Sequence, residues 1–478
     1  MLGIAVLVIV LVFVSVVVIR TLRFKPKDGP AVMEEKIIFD KDQAVSNLQA
    51  LVRCKTISNR DPALEDDAEF EKLIAMLPDL YPNVFKTCEF TRMPDRGLLF
   101  KWSGRENGDP AVMMSHYDVV PVNEDGWEKP PFEGVLEDGV LWGRGTLDTK
   151  GTFNGVLFAA DHLIAQDFVP QHDVYFAFSG GEEVNGKGAL HIVEWFRDRD
   201  ITPAMVLDEG GAVVENVFPG VTGPCGLIGI AEKGYLDVKY TAKSSGGHAS
   251  APKPHTPVGT LSRACCRMES HPFKCRLTKP VAEMYDTLSR HSSGFFVRML
   301  FANLWCFEWV LDLVCRRSGG DMNALMRTTV AFTQMAGSSA SNVIPPEASM
   351  VCNMRLNPED TIDSAMEYIR KTVNDPEVEV SVSYGINPSR LSRTDCEGWD
   401  KVASCVASTW KGSIVAPYLM VQCSDSRHYG AISDKVYRFS AMDLTKEERG
   451  TIHGHNERIR VEAIHRTAEF YIRLMKQC

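Results

Sequence analysis

The sequence predicts an α/β fold: a mostly parallel sheet with helices on both faces, carrying a smaller inserted α+β domain. Three observations predict it. In the first half, short apolar runs of strand length alternate with helix-length amphipathic stretches, the pattern of βαβ units. From about Tyr235 the runs alternate apolar and polar, as half-exposed antiparallel strands do. Near Trp399 the first pattern returns, so the second unit interrupts the first.

Element by element, Met1 to Ile19 carries no charge and one hydroxyl, Ser15. At ~1.5 Å per residue it reaches about 28 Å, close to a bilayer core. Arg20, Arg23, Lys25 and Lys27 follow, with no small-residue cleavage site, so a retained single-pass membrane anchor over 1–20 is expected. The basic flank prefers the cytoplasm, which places the body inside the cell. Residues 21–37, with Pro26 and Pro30, read as a tether. The larger domain begins at 38–234. There Ala44, Leu48, Leu51 and Val52 share a helix face, 111–114, 174–178 and 204–207 read as buried strands, and 156–164 reads as a helix between them. The insert is expected over 235–358. In it Leu236, Val238 and Tyr240 alternate, as do Val330–Phe332 and Met350, Cys352 and Met354, beside a helix over 257–269. The larger domain resumes over 359–478, with helices at 361–373 and 461–475. Phe295 to Val314 is aromatic-rich, but Arg298, Glu308 and Asp312 exclude a second membrane span. It reads as core packing, with a wall for an acyl chain or an interfacial helix as alternatives.

Composition narrows the function. The chain has 478 residues, 45% hydrophobic and 24% charged, with net charge −10, which excludes a disordered or polytopic membrane protein. The acidity argues against nucleic acid as a partner. Thirteen cysteines without paired spacings read as reduced intracellular thiols rather than a disulfide framework.

Polar clusters sit where the strands should end, the place where α/β sheets gather chemistry. Ser115-His116-Tyr117-Asp118, Gly143 to Gly151, Ser179-Gly180-Gly181-Glu182-Glu183, Asp208-Glu209-Gly210-Gly211 and His453-Gly454-His455-Asn456-Glu457 recur in this way. Several carboxylates and two imidazoles on one face call for a cation, and that donor mix suits zinc, with manganese or cobalt as the alternatives. Gly181 to Lys187 starts like a phosphate-binding loop, but Gly188 replaces its hydroxyl residue and Glu182 and Glu183 repel phosphate. No His-Glu-x-x-His and no Gly-x-Ser-x-Gly is present.

Six motifs in order, Ser-His-x-Asp-Val-Val-Pro, Gly-Arg-Gly-x-x-Asp-x-Lys-Gly, Gly-Gly-Glu-Glu, Asp-Glu-Gly-Gly, Gly-Gly-His-Ala-Ser and His-Gly-x-Asn-Glu-Arg-Ile, carry a resemblance. The chain from about 38 onward resembles the dinuclear zinc metallopeptidase family of aminoacylase-1, carboxypeptidase S and succinyl-diaminopimelate desuccinylase. Within it, the carboxypeptidase S and N-fatty-acyl-amino-acid hydrolase branch is nearest. The resemblance implies a zinc-exopeptidase-type sheet with a ferredoxin-like lid or dimerisation domain, and a homodimer. It implies two Zn²⁺, with His116 and Asp208 on one, Glu183 and His453 on the other, and Asp148 bridging. Glu182 is then the general base of a metal-activated water, Asp118 orients His116, and His248 stabilises the oxyanion. Asn342, Arg355 and Arg427 are the expected substrate-binding residues, the arginines for a free carboxylate. The implied activity is hydrolysis of an amide next to a free carboxylate, in an N-acyl amino acid or a short peptide. The alternative is a non-catalytic or receptor-like membrane-anchored binding protein of the same fold. Two positions depart from the pattern: His455 offers a second imidazole near His453, and Cys423 stands where relatives more often carry glycine.

Overall fold

The structure is a computed structural model and describes residues 2–478. Its larger body is built on an eight-stranded sheet. In spatial order the strands are Glu89–Met93, Gly97–Trp102, Val174–Ser179, Ala111–His116, Met205–Val214, Val436–Leu444, Cys225–Glu232 and Ile414–Met420. The four central strands, from Val174–Ser179 to Val436–Leu444, run parallel. The strands at one edge, Glu89–Met93 and Gly97–Trp102, are antiparallel. Central burial explains the continuous apolar runs: every residue of Ala111–His116 and Val174–Ser179 is buried. Helices Lys150–Ile164 and Val461–Met475 cover one face together, and Gly188–Arg197 packs against the other.

The second sheet is four-stranded and antiparallel, in the order Thr329–Ala336, Glu347–Leu356, Gly234–Lys243, Val378–Ile386. Helices Pro257–Ser270 and Ile362–Val373 cover one face of it. Along Glu347–Leu356 every second residue is buried, which is the alternation read in the sequence.

The expected domain boundaries need correction here. Val378–Ile386 pairs with Gly234–Lys243 along its length, so the small unit extends beyond 358 to 386. Residues 279–326 do the reverse. Val281, Tyr285, Phe301, Leu311 and Met326 join the core of the large body although they lie inside the expected insert. Both shifts have one cause: the sheet edge and the apolar faces, not sequence continuity, decide which body a segment joins.

Candidate metal centre

His116 ends its strand buried, and its Nδ1 lies 3.1 Å from the Asp118 carbonyl and 3.3 Å from the Asp118 carboxylate. That leaves Nε2 free to face the cavity, 3.0 Å from Asp148 Oδ1 and 3.4 Å from Glu209 Oε1. The other oxygen of Asp148, Oδ2, lies 3.0 Å from His453 Nε2. His453 Nε2 is in turn 3.1 Å from the Glu183 carboxylate. Asp148 thus presents one oxygen to each imidazole, the arrangement a bridging carboxylate requires. Glu182 stands in the same cluster, with donor atoms of His116, Glu182 and Glu209 all within 4.8 Å of one another.

Asp118 is fully buried and does more than face His116. It accepts the Ser58 hydroxyl and, at 3.2 Å each, the backbone N–H groups of Glu182 and Glu183. One carboxylate therefore fixes both the imidazole and the acidic turn. A second buried group ties the remaining ligands together. Glu457 accepts the N–H groups of Gly145, Leu147 and Asp148 and pairs with Arg144 at 2.7 Å. Arg144 donates through its other nitrogen to the Gly454 carbonyl. This clamp joins the Asp148 loop to the turn that carries His453, whose φ of 59° is left-handed.

Asp208 turns away from the site expected of it. On the strand Met205–Val214 consecutive side chains point to opposite faces. Asp208 accepts the Ser426 N–H at 2.9 Å, and Glu209 takes the side that faces His116. Alternation allows only one of the pair to reach His116, and the sequence alone does not say which. His455 packs over Gly126 and leaves the cluster to His453. Sequence reasoning also missed Glu457 and Arg144, although both lie inside motifs it quoted, and Asp425, which receives the Ser179 hydroxyl beside the cluster.

Electrostatics says what the cluster lacks. Burial, reinforced by neighbouring carboxylates, raises the pKa of Glu182 and Glu183 above the ordinary carboxylate range. The same causes push Asp208 up to about 6 and Glu209 up to about 8. Hydrogen bonds to Asp148 and Glu183 push His453 up to about 10. Burial opposes charge on His116, yet Glu209, Asp118 and Asp148 hold it well above its ordinary value. The buried carboxylates thus hold positive charge on two imidazoles whose nitrogens are metal donors. Imidazole nitrogen and carboxylate oxygen around an aspartate that faces both imidazoles fit divalent cations such as zinc.

The other predicted residues surround this cluster to different degrees. Arg427 donates to the Ser424 carbonyl and to Asn185, each at 3.2 Å, and its charge acts on Glu182 and Asp425. Its buried Nε has no partner among the described residues. Arg355 stacks on Tyr235 and reaches Cys423, whose neighbourhood Arg427 shares. His248 and Asn342 lie on the exposed ribbon Gly247–His248/Val343–Ile344, where the Ala249 N–H meets the Asn342 carbonyl. Between the units a cleft is lined by Arg60, Gly181 and Asn185 on one side and Asp237 and Tyr384 on the other.

Residues 112–477 match peptidase family M20/M25/M40. The chain belongs to that family. It is 32% identical over 473 residues to the probable carboxypeptidase S-like 2 of Dictyostelium discoideum, covering 96% of this chain and 91% of the relative. It is 33% identical over 485 residues to the N-fatty-acyl-amino acid synthase/hydrolase PM20D1 of Xenopus tropicalis, covering 99% and 94%. The fold resembles the M20 family metallo-carboxypeptidase Sso-CP2 from Sulfolobus solfataricus, with a TM-score of 0.64 at 15% identity over 91% of this chain and 98% of that one. As an M20 protein this chain is a metal-dependent amide hydrolase, which sets aside the non-catalytic alternative.

Proposed function

We propose that the protein hydrolyses the amide bond of N-acyl amino acids, next to their free carboxylate. The observation that carries this reading is Arg427, a half-buried guanidinium whose charge acts on Glu182 and whose buried Nε is unpartnered. With Arg355 near the same thiol, it supports a seat for a carboxylate. The names of the relatives, a carboxypeptidase S-like protein and an N-fatty-acyl-amino acid synthase/hydrolase, support the same class.

On this reading Asp148 would be shared by two divalent cations, zinc by donor chemistry. His116 and Glu209 would hold one, and Glu183 and His453 the other. When bound, the cations supply Lewis acidity to the scissile carbonyl and lower the pKa of the attacking water. Glu182 accepts that water's proton on its carboxylate and passes it to the leaving nitrogen. Its burial favours the protonated form, which suits the second of these tasks. Asp118 keeps His116 and the Glu182 turn aligned. Arg427 and Arg355 receive the carboxylate, and Asn342 contacts the substrate from the ribbon. His248, on the same ribbon, donates to the oxyanion from the small unit of a second copy.

The substrate reading is tested by comparing N-acyl amino acids with their carboxamides. The carboxamides should react roughly 10- to 100-fold more slowly, the worth of charge-assisted hydrogen bonds. Equal rates would overturn it. Comparison of acetyl with long-chain acyl substrates, and of both with dipeptides, sets the acyl preference.

The helix Leu2–Arg23 is, on this reading, a retained membrane span with the body on the cytoplasmic side. Its last turns are built into the body: Val17 and Thr21 are buried, Asn303 donates to both, and Arg20 donates to the Ala302 carbonyl. Removal of the helix would strip partners from the buried Asn303. The basic flank supports the cytoplasmic side. So does the absence of any cysteine pair among the described residues.

A further inference from the structure

The helices Phe295–Ala302 and Leu304–Ser318 are aromatic-rich, yet they bury only part of that surface. On the second helix Leu311 and Cys315 face inward, at 1% and 0% exposure. Trp305, Trp309 and Leu313 are spaced four residues apart and form one stripe. They are 59%, 67% and 41% exposed, and Phe296 on the preceding helix is 77% exposed.

This stripe continues the surface of the N-terminal helix. Trp305 meets Phe13 edge-to-face, with ring centroids 5.9 Å apart. Phe13 precedes Arg20 by seven positions, about 10 Å along the helix axis at 1.5 Å per residue. With Leu2–Arg23 across a bilayer, Phe13 lies below the charged flank and within the apolar layer. Trp305 beside it shares that depth. An indole so placed keeps its ring among acyl chains, with its N–H 3.4 Å from the Asn303 side-chain oxygen. Exposed Arg316 and Arg317 close the second helix with positive charge, which lipid phosphates attract. Glu308 flanks the stripe, and Asp312 is engaged by Arg327.

We propose that residues 295–318 form a second, non-spanning membrane contact, with the Trp305–Trp309–Leu313 stripe and Phe296 immersed in the bilayer surface beside the span. The proposal rests on reading Leu2–Arg23 as a retained span. It goes beyond anchoring, because a second contact sets how the docked body tilts against the bilayer.

The test uses the full chain reconstituted in phosphatidylcholine vesicles with brominated acyl chains, a short-range quencher of tryptophan. The N-terminal helix contains no tryptophan, so any quenching reports on the body. Trp305 and Trp309 are two of eight tryptophans, so about a quarter of the emission should be lost. The Trp305→Phe/Trp309→Phe variant should lose at least threefold less. Flotation after an alkaline wash, read on the same samples, tests the span separately. Floating protein whose emission is not quenched, or is quenched equally in the variant, overturns the surface contact and leaves the span standing. Cross-linking of the stripe to a second copy without quenching does the same. Protein that fails to float overturns the span, and the surface contact with it.

Discussion

On the proposed mechanism, one carboxylate at Glu182 both takes and returns a proton. Glu182→Gln keeps the size and removes the base. Turnover should fall by roughly 10²- to 10⁴-fold, with metal content by elemental analysis unchanged. Loss of metal in that variant would instead make Glu182 a ligand. Asp208 and Glu209 are adjacent in sequence and opposite in role. Glu209→Gln should reduce bound zinc from about two ions to about one, whereas Asp208→Asn should retain both. The motif Asp-Glu-Gly-Gly was legible, and so was the chemistry it serves. Which of its two carboxylates reaches His116 was not, because that depends on the phase of the strand relative to a neighbour more than ninety residues earlier. His453 and His455 posed the same kind of choice: His453 lies beside Asp148, and His455 packs over Gly126.

Between residue and molecule stand the elements that aim these groups. Three central strands and the two long helices over them were readable, since burial on both faces leaves unbroken apolar runs. The strand Val378–Ile386 was missed as part of the small unit. Its Val378, Val380 and Val382 alternate with Glu379, Ser381 and Ser383, but its pairing partner lies far back in the chain. The clamp of Arg144 and Glu457 escaped for a related reason: a buried ion pair between distant motifs leaves no local periodicity. Its worth is measurable. Glu457→Ala strands a buried guanidinium and frees the Asp148 loop, so stability should drop by about 3–5 kcal/mol. The gentler Asp118→Asn keeps the shape of its side chain and weakens its hold on His116. Zinc affinity should fall roughly 10- to 100-fold, read by competition with a chelating dye.

Across the whole molecule the buried acids set how stability responds to pH. Glu209, pushed up to about 8 from an ordinary 4.5, and Asp208, pushed up to about 6 from 3.8, bind protons more tightly folded than unfolded. His453, pushed up to about 10 from 6.5, acts in the same sense. A raised value gives stability that is present below the ordinary pKa and lost as pH rises through the folded one. The metal-stripped protein should therefore melt at progressively lower temperature between about pH 5 and pH 8. Added zinc takes over the role of those protons, so the loaded protein should show a much flatter profile, read by thermal melts with and without chelator. A rising Tm in the stripped protein over that range would contradict the arrangement of charges described here.

The clamp also sets a timetable. Asp148 is held in place by Glu457, and its second oxygen faces His453, so the early loop is unfinished until the late turn has folded against it. During synthesis the nascent chain exposes His116, Asp148, Glu183 and Glu209 long before either late residue exists. Those groups form a half-built acidic pocket with no second imidazole to steady it. On the proposed ligand set, a complete cation site exists only after the last strand and helix have docked. Without that cation the chain would be fully made and folded but not yet an enzyme.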